Sequence, residues 1–169
     1  MTLRMFRHVT YSARTVIVFA TTLFLFVSIN AQAQDQTKDG QTKDDHAIAG
    51  AMAAMDEFML AFNDKDSDEW AATLNYPHVR FASGTVTVWD SAEEFSDTDA
   101  FQSLARLGWD HSHWLTRDVV LASPDKVHIA ALFQRFNEAN EIIGTYQSLY
   151  IVTKVNGHWG TQARSSLAP

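Results

Sequence analysis

Apolar residues spaced by four, three, four and three positions (Ile48, Met52, Met55, Met59, Phe62) trace one face of an amphipathic helix. Ala49, Ala51, Ala53 and Ala54 raise its helix propensity, Asp44 or Asp45 can cap it, and Gly50 works against it. The segment Asn63 to Asp66 breaks the pattern. A second, short helix is predicted from Ser67 to Leu74, with Asp68 and Glu69 in its dipole-favoured first turn. Pro77 ends it by biasing Tyr76 away from helical angles. The period then drops to two, and His78 to Ala82 and Thr85 to Trp89 read as strands turning at Ser83-Gly84. Ser91 and Glu94 stand at capping-box spacing and open a third helix, or two short ones, closed by Gly108.

Longer strands follow, from about Trp109 to Ala122 and from Lys126 to Phe136. Two final β-prone runs meet at Asn156-Gly157, the dipeptide that best tolerates the positive φ angles of a type I′ hairpin. Tyr146, Leu149, Tyr150, Ile151, Val152 and Val155 place apolar side chains on both faces of the penultimate strand, so both faces need a cover. The order of elements predicts an α+β fold, a curved antiparallel sheet with the N-terminal helices packed in its concave side. Helices cover only one face of a sheet, so a homodimer through the outer face of the meander is expected.

Charge and composition change the picture mainly at the N-terminus. Arg4, Arg7 and Arg14 precede an uncharged, mostly apolar run from Thr15 to Ile29, and Ala31-Gln32-Ala33 has the small–x–small form of a signal-peptidase site. The run is shorter than the roughly 20 residues of a membrane span. Residues 1–33 therefore read as a signal peptide for export to the periplasm or beyond, the alternative being an uncleaved anchor. Residues 34–45, with QTKD twice, read as a flexible polar linker, and 46–169 as one domain. Removing residues 1–33 takes three arginines and no acid from 13 basic and 20 acidic residues, leaving 10 and 20, a net charge of −10. Such a surface argues against nucleic acid and anionic membrane as partners. With no cysteine, disulfides and thiol chemistry are excluded. Asp64, Asp66 and Asp68 have calcium-loop spacing, but Glu69 stands where the loop glycine belongs and Asn75 where its bidentate glutamate belongs. No metal and no cofactor are expected.

Several segments carry a family resemblance. They are Phe62-Asn63 with Asp66 and Trp70, the Tyr76-Pro77-His78 entry to the first strand, and the ending Gly157-His158-Trp159-Gly160-Thr161-Gln162-Ala163-Arg164-Ser165-Ser166. In these the chain resembles the nuclear transport factor 2-like superfamily, which includes SnoaL-like cyclases and ketosteroid isomerases. The resemblance spans about Ala47 to Ser166 and implies a cone-shaped α+β fold with a ligand cavity between sheet and helices, and a homodimer. This superfold hosts enzymes, binders and assembly modules, so function has to be read from the site.

Inward polar residues are the candidates. His78 and Arg80 share a face of the first strand, and His111 and His113 a face of the third, with Asp110, Trp114, Arg117 and Asp118 nearby. Arg135, Tyr146, Tyr150, Gln162 and Arg164 lie on the last three strands. The cavity is expected to take His78, Arg80, His113, Tyr150 and Arg164, although a one-residue slip inverts every such assignment. Each has a plainer alternative: a hydrogen-bonded core histidine, a rim arginine in an ion pair, a packing tyrosine. Enclosed arginines favour a carboxylate or another planar anionic group, which guanidinium binds bidentately. The preferred function is small-molecule binding without catalysis. The alternative is a cofactor-independent lyase, isomerase or cyclase drawing its acid and base from His113, Asp118 and Tyr150. A buried carboxylate of raised pKa against a histidine or tyrosine would favour the enzyme, and a cavity of arginines and aromatics the binder.

Overall fold

The computed structural model describes residues 44–82 and 84–168. The expected signal peptide, its cleavage site and the linker up to residue 43 lie outside them. Asp44 and Asp45, read as the end of the linker, are already helical.

Helix α1 covers 44–64. Its buried face is wider than the predicted stripe. Met55, Met59 and Phe62 are buried as expected, together with Ala47, Ala51, Ala54 and Phe58, while Ile48 and Met52 are only partly covered. The alanines lie inward because α1 packs close to the sheet. At Gly50 a Cβ would fall inside the Trp159 indole, so this glycine serves a close approach. Lys65 ends the helix at φ 60°. Asp66 then caps α2 (Ser67–Ala72), its side chain accepting from the backbone N–H groups of Asp68 and Glu69.

Strand β1 (Leu74–Ala82) begins four residues before the predicted His78, ahead of Pro77, which follows a cis peptide bond. The early start is held by Asn75. Its amide donates to the carbonyls of Thr153 (2.8 Å) and Gly160 (3.3 Å), and its Oδ1 accepts from His158 Nδ1 (3.1 Å). β2 (Thr85–Trp89) pairs with β1. Two short helices follow, α3 (Ala92–Ser96) and α4 (Ala100–Arg106). Ser91 Oγ accepts from Glu94 N (3.2 Å), and the Glu94 carboxylate reaches back to Asp90 N (2.8 Å), one residue before the reciprocal partner of a standard capping box.

The meander is β3 (His111–Ser123), β4 (Lys126–Phe136), β5 (Ile142–Val155) and β6 (His158–Ser166), with φ positive at both Asn156 and Gly157 as a type I′ turn requires. The sheet order is β2-β1-β6-β5-β4-β3, antiparallel except for the β1–β6 pair. β4 alternates cleanly: Val127, Ile129, Ala131, Phe133 and Arg135 are buried, and the residues between them are not. Val127 and Ile129 are fully enclosed, each contributing roughly 1.5–3 kcal/mol of apolar burial. The convex face is uncovered in the single chain, with Leu115, Leu149 and Leu167 exposed. Among the described residues, no helix is long and apolar enough to cross a membrane.

Candidate functional site

Helices α1, α2 and α4 and the concave face of the sheet enclose a cavity of about 370 Å³, within the ~300–1,000 Å³ range of small-molecule sites. Its apolar wall is aromatic. Phe62 and Trp70 pack at 4.9 Å between ring centroids and Trp70 and Phe95 at 4.7 Å, with Phe58 and Trp89 adjoining. Leu104 of α4 and Leu107 just after it border the opening side, where Asp99 stands.

Three arginines from three strands turn into this space: Arg80 on β1, Arg135 on β4 and Arg164 on β6. Arg80 and Arg164 are register partners, and Arg164 faces Tyr150 across the β5–β6 ladder. The Arg164 guanidinium lies over Phe58 (5.5 Å) and Trp70 (5.3 Å), and that of Arg135 over Tyr146 (5.1 Å) and Phe133 (5.9 Å). The Nε atoms of all three, and Nε1 of Trp70, are buried with no hydrogen-bond partner in the protein. All four are donors. Burial lowers the pKa of each arginine, that of Arg164 to about 10, and repulsion from Arg80 adds to the effect at Arg135 and Arg164. Among the described lining residues the only carboxylate is Asp99, exposed at the mouth 3.5 Å from Arg106. The Tyr150 phenol is buried and its pKa raised by desolvation, against the opposing pull of Arg164 and Arg135.

The residues expected in the cavity divide. Arg80, Tyr150 and Arg164 line it. His78 is fully buried just behind the wall, stacked on Trp89 at 5.7 Å and edge-on to Phe95. Its Nδ1–H donates to the Thr161 carbonyl (3.0 Å), which leaves Nε2 as the unprotonated nitrogen. Burial, Arg164 and Arg80 hold its pKa down at about 3, so it is a neutral core histidine at ordinary pH. His113 is on the convex face. The inward residues of that stretch are Ser112 and Trp114, which pair with Arg135 and Phe133, so His113 projects outward against Phe136 and His111. Asp118 is exposed on the same outer face, opposite Ala130, while its neighbour Arg117 is tied to Asp56 of α1 (2.6 Å). His113, Asp118 and Tyr150 are thus not brought together, and no carboxylate pairs with a histidine or tyrosine in the described lining. Among the described residues, no group of three or more His, Cys, Asp or Glu is placed to hold a metal ion.

Arg135 stood outside the five expected residues, yet its signal was legible. It continues the strict alternation of Val127, Ile129, Ala131 and Phe133. Ser112, another polar lining residue outside the five, is pinned by Asn63 of α1, whose side chain donates to its carbonyl (2.9 Å) and accepts from its N–H (2.9 Å).

Among functionally curated proteins, none matches the sequence. Solved structures do. A cystatin-like-fold protein of unknown function from Nostoc punctiforme superposes with a TM-score of 0.59 at 14% identity, over 72% of this chain and 90% of that one. An NTF-2 like protein of unknown function from Shewanella oneidensis gives 0.58 at 11% identity, over 72% and 98%. A ketosteroid isomerase-like protein from Erwinia carotovora atroseptica gives 0.54 at 24% identity, over 72% and 96%. At such identities these likenesses establish the fold alone. The family model described as NTF2-like protein (DUF6841) matches residues 49–164, from the second turn of α1 to Arg164 in β6, and the chain belongs to that NTF2-like family.

Proposed function

We propose that the protein binds a small acidic organic molecule in its cone cavity, without catalysing a reaction on it. The observation that carries this reading is the trio Arg80, Arg135 and Arg164, turned into an aromatic-lined space with no carboxylate partner among the described residues. A buried cation without a counter-charge is costly in the free protein, and an anionic ligand offsets that cost on binding. The aromatic wall takes the apolar body of the ligand. The scatter of His113, Asp118 and Tyr150 favours binding over acid–base turnover. The Arg-flanked apolar run before Ala31-Gln32-Ala33 supports a place for this binder outside the cytoplasm. Replacing Arg164 with alanine should weaken an acidic ligand by roughly 1.5–3 kcal/mol, the range for a hydrogen bond to a charged group. A thermal-shift screen of aromatic acids on wild type and variant tests it. Acids that stabilise both proteins equally would refute anion binding at these arginines.

We also propose that the convex face pairs with a second copy. Leu149 and Leu167, with Ala130 and Leu132, border a shallow groove on the outer face of the meander that Thr116, Asp118 and Gln147 also line. A monomer in sedimentation at micromolar concentration would overturn this.

A further inference from the structure

The charge balance of the cavity narrows the ligand further, and the argument rests on the reading that the cavity binds an anion. Three guanidinium groups converge, and the described ion pairs of the fold involve other residues: Lys65 with Asp110, Arg106 with Asp99, Arg117 with Asp56. Two of the three lie over aromatic rings, Arg135 over Tyr146 and Arg164 over Trp70, and the buried Nε donors of all three have no partner in the protein. A single carboxylate has two oxygens. It fills one guanidinium fork and shares a lone pair with a second, leaving a third cation uncompensated beside it. A phosphate monoester, or two carboxylates on adjacent carbons, brings two negative charges and three or four acceptor oxygens to the same spot. Trp70 Nε1 adds a fourth donor that no protein group satisfies. The opposite end of the cavity is unsuited to a second acid, because Asp99 stands at the mouth.

We infer that the cavity selects a small, flat, apolar molecule carrying two negative charges at one end. The charged end lies on Arg80, Arg135 and Arg164, and the apolar body points along Phe95 and Leu104 toward the mouth.

Isothermal titration at neutral pH and low salt with five probes tests this: benzamide, benzoate, phthalate, terephthalate and phenyl phosphate. Phthalate or phenyl phosphate should bind at least about tenfold tighter than benzoate, and terephthalate, with its carboxylates at opposite ends, no tighter than benzoate. Which of the two adjacent-charge probes wins tells a carboxylate pair from a phosphate. Arg135→Gln should weaken every anion but the dianions most, so that the dianion preference over benzoate falls to within about threefold. If that variant loses its cooperative thermal transition, Arg80→Gln provides the same comparison. Benzoate, phthalate and phenyl phosphate within threefold of one another on wild type would overturn the dianion inference and leave the anion-binding reading standing. Terephthalate matching the tighter of phthalate and phenyl phosphate would overturn the placement of both charges at one end. Benzamide binding as tightly as benzoate, or no binding by any anion, would overturn the anion-binding reading and this inference with it.

Discussion

His78 should make the fold acid-sensitive in a predictable window. Its ring is fully buried between Trp89, Phe95 and the arginines, with a pKa of about 3 against an ordinary 6.5. Between those values the unfolded chain binds a proton that the folded chain refuses. Stability therefore falls as pH drops through 6.5, and no further loss comes from this group below about 3. Each unit of difference is worth about 1.4 kcal/mol, so lowering the pH from 7 to 4 should cost about 3 kcal/mol through His78 alone. Urea denaturation of wild type and His78→Asn at both pH values isolates it. Asparagine keeps a donor for the Thr161 carbonyl and cannot take up the proton. The variant is expected to lose absolute stability through the space it leaves, but its loss between pH 7 and 4 should be about 3 kcal/mol smaller than that of wild type. An equal loss in both would show that the ring escapes or hydrates in acid, and would refute the enclosed neutral histidine.

Other expectations follow from single contacts. Gly50→Ala gains up to about 1 kcal/mol of helix propensity but drives a methyl into the Trp159 indole, costing about 1–3 kcal/mol, so Tm should fall; a rise would show the indole swings away freely. Asn63→Ala removes both bonds to the Ser112 backbone and should cost about 1–3 kcal/mol by chemical denaturation, with unchanged stability counting against Asn63 as the tie between α1 and β3. Leu149→Lys on the convex face should leave a folded monomer by sedimentation, and a persistent dimer would move the interface elsewhere.

Much of the architecture is local and was therefore open to reading. Asn156-Gly157 specifies its hairpin because few dipeptides tolerate two positive φ angles, and Ser91 marks a helix start because its hydroxyl accepts an orphan N–H. The alternation along β4 marks its buried face, and with it Arg135, because side chains on a regular strand change face at every residue. The cavity depended on what regular alternation omits. On β6, Thr161 is opposite Val152 and Ala163 opposite Ile151, so Gln162 is an extra residue in the ladder and the parity reverses there. Strict alternation from buried Thr161 would put Ala163 and Ser165 inward and Arg164 outside; the bulge carries Arg164 into the cavity beside Tyr150. On β3, Ser112 and Trp114 take the inner positions and leave His113 outside, and breaks in register after Trp114 and Val119 reset the faces further along. The parallel pairing of β1 with β6, which sets Arg80 beside Arg164, joins segments more than 80 residues apart. Turns and caps are decided by a few neighbouring side chains, and so they can be read along the chain. Bulges and distant pairings depend on which partner strand is present and in what register, and these are settled only when the whole sheet is assembled.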